Sequence, residues 1–450
     1  AAAVIGREFE FPVLSEVMRV QEGFADFEGN SSALLREQVK TAEQGQIWLA
    51  TNELRYIFRH SLLREAVYSM QLRTRLQQLH QLIAEAIERI YADTIEARYV
   101  DLAFHYDQAG VFDKTCEYLR KAADYSRRNY QNQRALEYYD RLLSKLGSKN
   151  EGVDEIKTHL NKGKILELIG EWDECQQAYE KALDLAKKSR DVLLIGQTNN
   201  NLAHLLMLKG DYGKAMNYLQ IAAGLFESVD DRVGKARVNA DLGTLYFRQG
   251  KYIEAKRYFE ESIKIGLTKR GTSGSAQIAS NLGLTHMNLG NYQEAIDVQQ
   301  SQLRISKRLS DKQGMASLYT NLGIVYLEKG DYEEALDCFD QGLAFSQELG
   351  NKQLTAIAIG SMGTVYEHQG DYEKAMECFL EDLRLVEELG DKQGTAIALG
   401  LIGELHNIKG DFHKAIEYLQ KNLMLCEELG YQKGIAKAVN TLGDVFFFTN

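Results

Sequence analysis

Asparagines recur at a fixed spacing in this sequence. Asn201, Asn281 and Asn321 are separated by multiples of 40 residues. An asparagine amide donates and accepts hydrogen bonds at the same time, which suits the backbone amides of an extended peptide. The same chemistry suits hydrogen bonds to a neighbouring helix, so the spacing alone leaves both uses of these amides open.

Motifs that would place a reactive group are absent from the sequence. There is no Gly-x-x-x-x-Gly-Lys-Ser/Thr phosphate loop, no His-Glu-x-x-His zinc motif and no Gly-x-Ser-x-Gly nucleophile turn. The five cysteines include no Cys-x-x-Cys pair, which argues against a zinc site and a disulfide framework. We therefore predict no catalytic residue, no metal site and no cofactor in this chain, so that it is not an enzyme by itself.

Negative charge is concentrated in the last two thirds of the chain. The whole sequence has 53 Lys+Arg and 64 Asp+Glu, of which residues 1–150 hold 20 and 21. The last 300 residues therefore hold 33 basic and 43 acidic side chains. An acidic surface repels phosphate groups, so nucleic acid is not expected as the ligand of this part.

The hydropathy of the chain predicts no association with a membrane. No apolar run approaches the ~18 residues that a membrane-spanning helix needs, and no signal peptide is recognised at the start. The hydrophobic fraction of 44% and the charged fraction of 26% are ordinary for a globular protein. We expect a soluble, cytoplasmic protein.

The asparagines belong to a 40-residue repeat. Each repeat has a glycine, then an aromatic residue two positions later, and then a small residue three positions after that. The seven glycines are Gly170, Gly210, Gly250, Gly290, Gly330, Gly370 and Gly410. A second column of small residues runs from Gly163 to Gly443 and has eight members, which indicates the start of an eighth repeat. Self-similarity at such a period is the signature of stacked repeats.

Each repeat is predicted to be a helical hairpin. Apolar residues at helical spacing lie on both sides of the Gly-Asp pair, such as Leu322 and Val325 before it and Leu336 and Phe339 after it. The pair itself combines a helix end with a helix start. Glycine inside a helix costs about 1 kcal/mol relative to alanine, so the column through Gly323 predicts close packing between the two helices of a hairpin.

These residues resemble the tetratricopeptide repeat. One repeat carries the family pattern on Leu322, Gly323, Tyr326, Gly330, Tyr332, Ala335 and Phe339. The resemblance covers about residues 154–450 and implies an all-α fold, a right-handed α-solenoid of helical hairpins. The period of 40 residues departs from the commoner period of about 34, and the helix-ending proline of the family is missing. In its longer period the array is similar to kinesin light chain and the Pins-type spindle adaptors.

The N-terminal residues lack this period and resemble another protein segment. Residues 1–14 and 56–88 are similar to the segment that joins the ATPase module to the repeats in STAND-type signalling ATPases. The residues that carry this resemblance are Gly6, Arg7, Phe9, Phe58, His60, Leu63, Arg64, Ala66, Val67, Tyr68, Arg75, Leu79 and His80. It implies a small N-terminal winged-helix-like domain with a β-hairpin around Asn52 and Glu53.

The chain is expected to have three parts. Residues 1–95 form the winged-helix-like segment, and residues 96–150 form linker helices or a degenerate repeat. The second expectation rests on residues 105–122, which keep the glycine, the aromatic and the small residue at the right intervals. Residues 151–450 form the array of seven repeats plus the first helix of an eighth. Since the sequence lacks an initial methionine and ends inside a repeat, we expect it to be part of a longer protein.

One residue of the first part has an expected role that depends on the second resemblance. In STAND ATPases of the plant immune and apoptotic type, the histidine of a Met-His-Asp motif reaches the phosphate of the bound nucleotide. His60 has a similar local context, with Arg59 and Ser61 in place of Met and Asp. It is a candidate sensor of ATP or ADP bound by a module upstream of Ala1. The alternative is that His60 makes a hydrogen bond within its own domain.

The tetratricopeptide-repeat resemblance also implies where a partner would bind. In that family the first helix of each hairpin lines a groove. The candidate groove residues are Asn201, Phe247, Asn281, Leu284, Met287, Asn321, Ile324 and Leu327. They would give the middle repeats an apolar floor beside asparagines, suited to a helical or extended peptide. The alternative, equally weighted, is that the apolar residues pack between repeats and the asparagines bond neighbouring helices.

Two functions follow from these resemblances. The first is the sensor and scaffold region of a STAND-type signal-transducing ATPase, which binds a protein or peptide and relays this event to an upstream nucleotide switch. The second is a stand-alone adaptor that bridges proteins without nucleotide-dependent switching. Neither expectation names the ligand, and both leave oligomerisation of the full-length protein open.

Overall fold

The computed structural model describes residues 1–21, 30–52, 54–129, 131–147, 152–266 and 273–449. These residues form 23 α-helices, one 3-10 helix and three short β-strands. By their contacts the chain divides into two compact units, Ala1–Glu151 and Gly152–Asn450. The predicted all-α class with a small N-terminal domain is confirmed.

The first unit combines a small sheet with eight helices. Its elements are α1 (Ala2–Ile5), β1 (Glu8–Glu10), α2 (Phe11–Gln21), α3 (Asn30–Gln44), β2 (Trp48–Ala50), β3 (Arg55–Phe58), α4 (Ser61–Ser69), α5 (Arg73–Ile90), a 3-10 helix (Ala92–Arg98), α6 (Tyr99–Ala109), α7 (Phe112–Arg128) and α8 (Asn132–Leu146).

The sheet of the first unit is antiparallel with the strand order β1-β3-β2. The buried Phe9 ring lies 5.0 Å from the Trp48 ring and 5.8 Å from the Phe58 ring, so aromatic packing holds one face of the sheet. The predicted β-hairpin is β2 and β3, with Asn52 in the connection, while Glu53 lies outside the described residues. A small sheet flanked by helices is compatible with a winged-helix-like domain.

The second unit is the repeat array. Its seven hairpins are α9 (Gly152–Leu168) with α10 (Trp172–Ser189), α11 (Val192–Leu208) with α12 (Tyr212–Ser228), α13 (Arg232–Arg248) with α14 (Tyr252–Gly266), α15 (Ser273–Asn288) with α16 (Tyr292–Arg308), α17 (Lys312–Lys329) with α18 (Tyr332–Glu348), α19 (Lys352–His368) with α20 (Tyr372–Leu389), and α21 (Lys392–Ile408) with α22 (Phe412–Leu429). Helix α23 (Gln432–Thr449) follows them. We number the hairpins as repeats one to seven.

The Gly-Asp pair ends one helix and begins the next, as its sequence predicts. Gly370 has φ 80°, a left-handed conformation that glycine adopts without steric cost. The Asp371 side chain then accepts a hydrogen bond from the Lys374 backbone N–H at 3.3 Å and caps α20. The left-handed glycine recurs every 40 residues, and Asp211 and Asp411 cap α12 and α22 in the same way.

The glycine column inside the first helices makes room for an aromatic ring. A methyl group added to Gly323 would lie 2.6 Å from Phe339 Cε1, and one added to Gly363 would lie 2.6 Å from Phe379 Cε1. Both phenylalanines are fully buried. The close packing expected from the glycines is therefore made by the ring of the second helix, which lies directly on the backbone of the first.

The fourth repeat departs from this packing. Gln299 occupies the position of Phe339 and Phe379, and it is fully buried against Gly283. In the described part of the chain, neither its Oε1 nor its Nε2 has a hydrogen-bond partner. A buried amide without partners costs free energy, so the fourth repeat has a weaker core than its neighbours.

The array curves until its first repeat meets its last two. The Lys392 Nζ atom lies 3.0 Å from Glu171 Oε1 in the first repeat and 3.0 Å from Glu428 Oε1 in the seventh. A methyl group added to Gly170 would lie 3.0 Å from Lys392 Cβ and 3.2 Å from Leu429 Cδ2. The turn of the first hairpin therefore packs closely on the connection between α20 and α21.

Candidate partner-binding surface

The predicted apolar groove residues lie on the first helices of the middle repeats. Phe247, Met287, Ile324 and Leu327 are all half-buried, and each packs partly against the core cluster of its own or a neighbouring repeat. Leu284 is half-buried as well. These side chains therefore contribute to packing between repeats and keep part of their surface accessible.

The predicted asparagines differ in their surroundings. Asn201 is buried, whereas Asn281 and Asn321 are half-buried. The Asn281 Oδ1 atom accepts a hydrogen bond from Gln277 Nε2 at 3.1 Å on the same helix. Its own amide N–H groups make no hydrogen bond with the described residues, so they stay able to donate to a ligand.

His60 lies in the first unit, at the residue that precedes α4. It is exposed, and its side chain makes no capping hydrogen bond to that helix. Its place at a helix start leaves the imidazole accessible, and the other predicted site residues belong to the second unit.

A cavity of about 610 Å³ opens where the array closes on itself. Its wall is formed by α9 and α11 on one side and by α19, α20 and α21 on the other. This volume falls within the range of about 300–1,000 Å³ that is typical of ligand pockets. The charged and titratable residues that line it are Lys164, Glu167, His204, Asp382 and Asp391.

An ion pair forms one side of this cavity. The His204 Nδ1 atom lies 2.9 Å from Glu167 Oε1. Burial disfavours the charged imidazole, yet the hydrogen bond to Glu167 and the charge of that carboxylate raise the pKa of His204 above its usual value. Deeper in the second and third repeats, burial raises the pKa of Asp241, which accepts a hydrogen bond from Asn200. Of these groups, Glu167 and His204 line the cavity and make its wall polar on this side.

Asp382 on α20 forms the opposite side. Its residue is only 7% exposed, and none of the described residues donates a hydrogen bond to its carboxylate. Burial and the nearby charge of Asp391 raise the pKa of Asp382 to about 7. A methyl group added to Gly360 would lie 2.7 Å from Asp382 Oδ2, so only glycine leaves room for the carboxylate at that point of α19.

Asp391 has a structural partner that Asp382 lacks. Its Oδ1 atom accepts a hydrogen bond from the Gly394 backbone N–H at 2.8 Å and caps α21. Burial raises the pKa of Asp391 although the N–H groups of Gly394 and Gln393 stabilise its ionised form. Asp391 therefore contributes negative charge to the cavity from a fixed position.

Asp382 and Glu167 are not among the site residues that the sequence predicts. A signal for Asp382 exists, because the equivalent residues 40 positions before and after it are Gly342 and Asn422, which are small or neutral. The proximity of Glu167 to the sixth repeat has no signal in the sequence, since it arises from the curvature of the whole array.

Neither a metal site nor a membrane-spanning helix is found in the part of the chain that the structure describes. No group of three or more His, Cys, Asp or Glu side chains is placed to hold a metal ion. None of the described helices combines the length and apolarity required to cross a lipid bilayer.

Similar folds occur among solved structures. The Rap conjugation gene regulator of the plasmid pLS20, in complex with a Phr peptide, is 17% identical, with 82% of this chain and 97% of that chain covered and a TM-score of 0.50. The STAND protein with a tetratricopeptide repeat sensor from Pyrococcus horikoshii is 15% identical, with 96% of this chain and 65% of that chain covered and a TM-score of 0.48. BtubC from P. vanneervenii is 24% identical, with 48% and 89% covered and a TM-score of 0.39. At these identities the similarity concerns the fold alone.

Family comparisons agree on the repeat. No curated protein matches the sequence. Three family models, each described as a tetratricopeptide repeat, match the second unit: one at residues 194–266, 274–348 and 354–428, one at 240–307 and one at 158–193. Together with the seven stacked hairpins, these matches show that the chain belongs to the tetratricopeptide-repeat family.

Proposed function

We propose that this chain is the sensor and scaffold region of a STAND-type signal-transducing ATPase, which binds a peptide or an extended protein segment on the inner surface of its array. The observation that carries the binding part is the cavity of about 610 Å³ at the closure of the array. Four of the helices that line it, α9, α11, α19 and α21, are first helices of their hairpins, as are the helices that carry the half-buried apolar residues of the middle repeats.

The amides of the middle repeats support recognition of a polypeptide backbone. Asn281 and Asn321 are half-buried beside Leu284 and Ile324, so a bound peptide would meet amide donors and apolar surface at intervals of one repeat. Peptides that bind as a helix or as an extended strand both use such a combination. Their side chains enter apolar pockets, and their main-chain groups lie against polar residues. The similar fold of the Rap regulator, which was solved with a peptide, agrees with this proposal.

The binding part is tested by selection from a displayed library of random peptides. The double variant Asn281→Ala, Asn321→Ala should lose capture of the selected peptides, with a melting temperature close to that of the wild type. Asn217→Ala is the matched control, because Asn217 is exposed on the second helix α12 and should leave capture unchanged. A large fall in melting temperature of the double variant would instead favour a packing role for the asparagines.

The switch part rests on the first unit. Its three-stranded sheet and helices are compatible with the winged-helix-like segment that the sequence resembles, and His60 is exposed there. In the full-length protein, His60→Ala should change the rate of basal nucleotide exchange, whereas His413→Ala, an exposed histidine of the seventh repeat, should not. Unchanged exchange in the His60 variant, or a full-length protein without a phosphate loop, would favour the stand-alone adaptor.

A further inference from the structure

The buried carboxylate of Asp382 lacks the hydrogen bond across the hairpin that polar side chains make at its position in two other repeats. In the third repeat the equivalent Ser262 Oγ donates a hydrogen bond to the Ala236 carbonyl at 2.6 Å, and in the seventh repeat Asn422 Nδ2 donates to the Ala396 carbonyl. Both bonds span 26 residues. By the same offset Asp382 would face the Ala356 carbonyl, to which an ionised carboxylate cannot donate.

No hydroxyl of the neighbouring helix compensates. On α19 the Ser361 Oγ atom donates to the Ile357 carbonyl at 2.8 Å, and the Thr364 Oγ1 atom donates to the Gly360 carbonyl at 3.3 Å. Both hydroxyl protons are therefore already used within their own helix. A buried polar group without a partner is an energetic cost that a bound ligand can remove.

Acidic groups outnumber basic ones around Asp382. The other titratable and charged side chains that face the cavity are Asp391, which caps α21, Lys164 and Glu167 on α9, and His204 on α11, which is paired with Glu167. The lining residues of α19 carry no charge. The cavity is thus suited to a positive charge placed beside Asp382.

The walls next to Asp382 are apolar. Ile357 on α19, Val386 on α20, and Ile397 and Leu401 on α21 line the cavity together with the carboxylate. An aliphatic stem that ends in a positive charge matches such a site, since it buries its methylene groups along apolar surface and presents its charged end to the acid. Lysine and arginine side chains have this structure.

We propose that the cavity binds a lysine or arginine side chain of the peptide partner, with its charged end paired to Asp382 and its stem against Ile357, Val386 and Ile397. This inference rests on the proposed peptide-binding function and assigns a side-chain class to it. Removal of the ion-pair partner leaves Asp382 buried and unpaired, so the site selects strongly against a neutral side chain of the same length.

The proposal has a pH dependence with a definite sign. Because the pKa of Asp382 lies at about 7, its carboxyl group is mostly neutral at pH 6 and mostly ionised at pH 8. The raised pKa of His204 acts in the same direction, since its positive charge is lost as the pH rises. Binding of a basic peptide should therefore strengthen from pH 6 to pH 8, whereas binding of a neutral peptide should not.

The test uses three libraries of random octapeptides. Two are acetylated at the N-terminus and carry either lysine or norleucine at a fixed central position, and the third carries norleucine and a free N-terminal amine. The wild-type array should capture the lysine library about tenfold better than the acetylated norleucine library at pH 8, and the preference should shrink at pH 6. Asp382→Asn should abolish the preference, and Glu377→Gln, which removes an exposed charge from the same helix, should preserve it.

Each alternative outcome has a distinct meaning. Equal capture of the lysine and norleucine libraries by the wild type would overturn the side-chain assignment and leave peptide binding intact. Preferred capture of the free-amine library over the lysine library would overturn it as well, in favour of a peptide N-terminus. Capture of none of the three libraries would overturn the peptide-binding function itself. The wild-type pH profile keeps the test decisive even where the Asp382 variant fails to fold.

Discussion

The inner surface of the array has two regions that share one scaffold and differ in chemistry. In the middle repeats the inner positions hold Phe247, Leu284 and Leu327, whereas in the first and sixth repeats the position of Phe247 and Leu327 is occupied by Glu167 and Glu367. Glycine and the buried ring that covers it recur in both regions, as Gly323 with Phe339 and Gly363 with Phe379. The hairpin therefore folds with either set of inner residues. The fold does not fix the residue type at these positions, so they can be chosen for binding.

The carboxylates at the closing end of the array differ from one another in their surroundings. Burial raises the pKa of Glu367, and the charge of Glu404 raises it further. Glu404 pairs with Lys437 at 2.9 Å, while Asp382 lacks any such partner among the described residues. A buried carboxylate without a partner is found more often at a binding or catalytic site than in a purely structural part of a protein. The closing region is therefore the more specialised part of the inner surface.

The largest expected effect is a gain of stability on removing the Asp382 charge. The folded-state pKa of about 7 exceeds the ordinary aspartate value of about 3.9, so the folded array binds more protons between these pH values and its stability falls as the pH rises. Asp382→Asn removes this loss of stability at high pH. The amide that it introduces can also donate a hydrogen bond to a carbonyl, as the amide of Asn422 does. We expect a gain on the order of 2 kcal/mol at pH 8 and a smaller gain at pH 5, measured by urea unfolding.

The control for this prediction is Glu377→Gln on the same helix, which should change stability little at either pH because Glu377 is exposed. A loss of stability for Asp382→Asn at pH 8 would contradict the account of an unpaired, destabilising carboxylate. In that case Asp382 would be a structural residue, and the contrast between the two regions would disappear.

The second effect concerns the middle region, where Gln299 weakens the fourth repeat. Gln299→Leu should add about 1–2 kcal/mol to the free energy of unfolding, because it removes two buried polar atoms that lack partners. Leucine fits this place, since Leu419 packs on Gly403 at the equivalent position of the seventh repeat. Thermal unfolding of the variant measures the gain. Gln293→Leu, an exposed change on the same helix, serves as the control, and an equal gain there would refute the explanation.

The smallest effect tests the closure itself. Lys392 pairs with Glu171 and Glu428, whereas the equivalent Lys352 pairs with Glu388 at 2.9 Å within its own repeat. Since Lys392 is partly exposed, the effect should be small. Lys392→Met should lower the free energy of unfolding by about 0.5 kcal/mol more than Lys352→Met does at low salt. The difference should vanish in high salt. Equal costs at low salt would show that the contact with the first repeat contributes nothing to the stability of the array.

The sequence predicts the helices of the array and their ends with few errors, because the period of 40 residues repeats each local signal. Gly370 and Asp371 show why: a left-handed turn and a helix cap are both decided by adjacent residues. The hairpin of β2 and β3 in the first unit is expected from the resemblance to the STAND segment and not from the repeat.

The cavity could not be predicted in the same way. Lys392 and Glu171 are 221 positions apart and meet because small rotations between seven hairpins accumulate. No local sequence pattern predicts the sum of these rotations. Asp382 is an intermediate case, since its difference from Gly342 and Asn422 is visible in the sequence but its burial beside Gly360 is not.

The central claim is that the inner surface of the array binds the partner. A selected peptide that carries a photoreactive side chain can be cross-linked to the array, and the attached residues can be located by mass spectrometry. The account predicts attachment to the first helices of the middle repeats, around Leu284 and Ile324, and to the walls of the cavity near Asp382. Attachment confined to the second helices, such as α14 and α18, or to the first unit would contradict it.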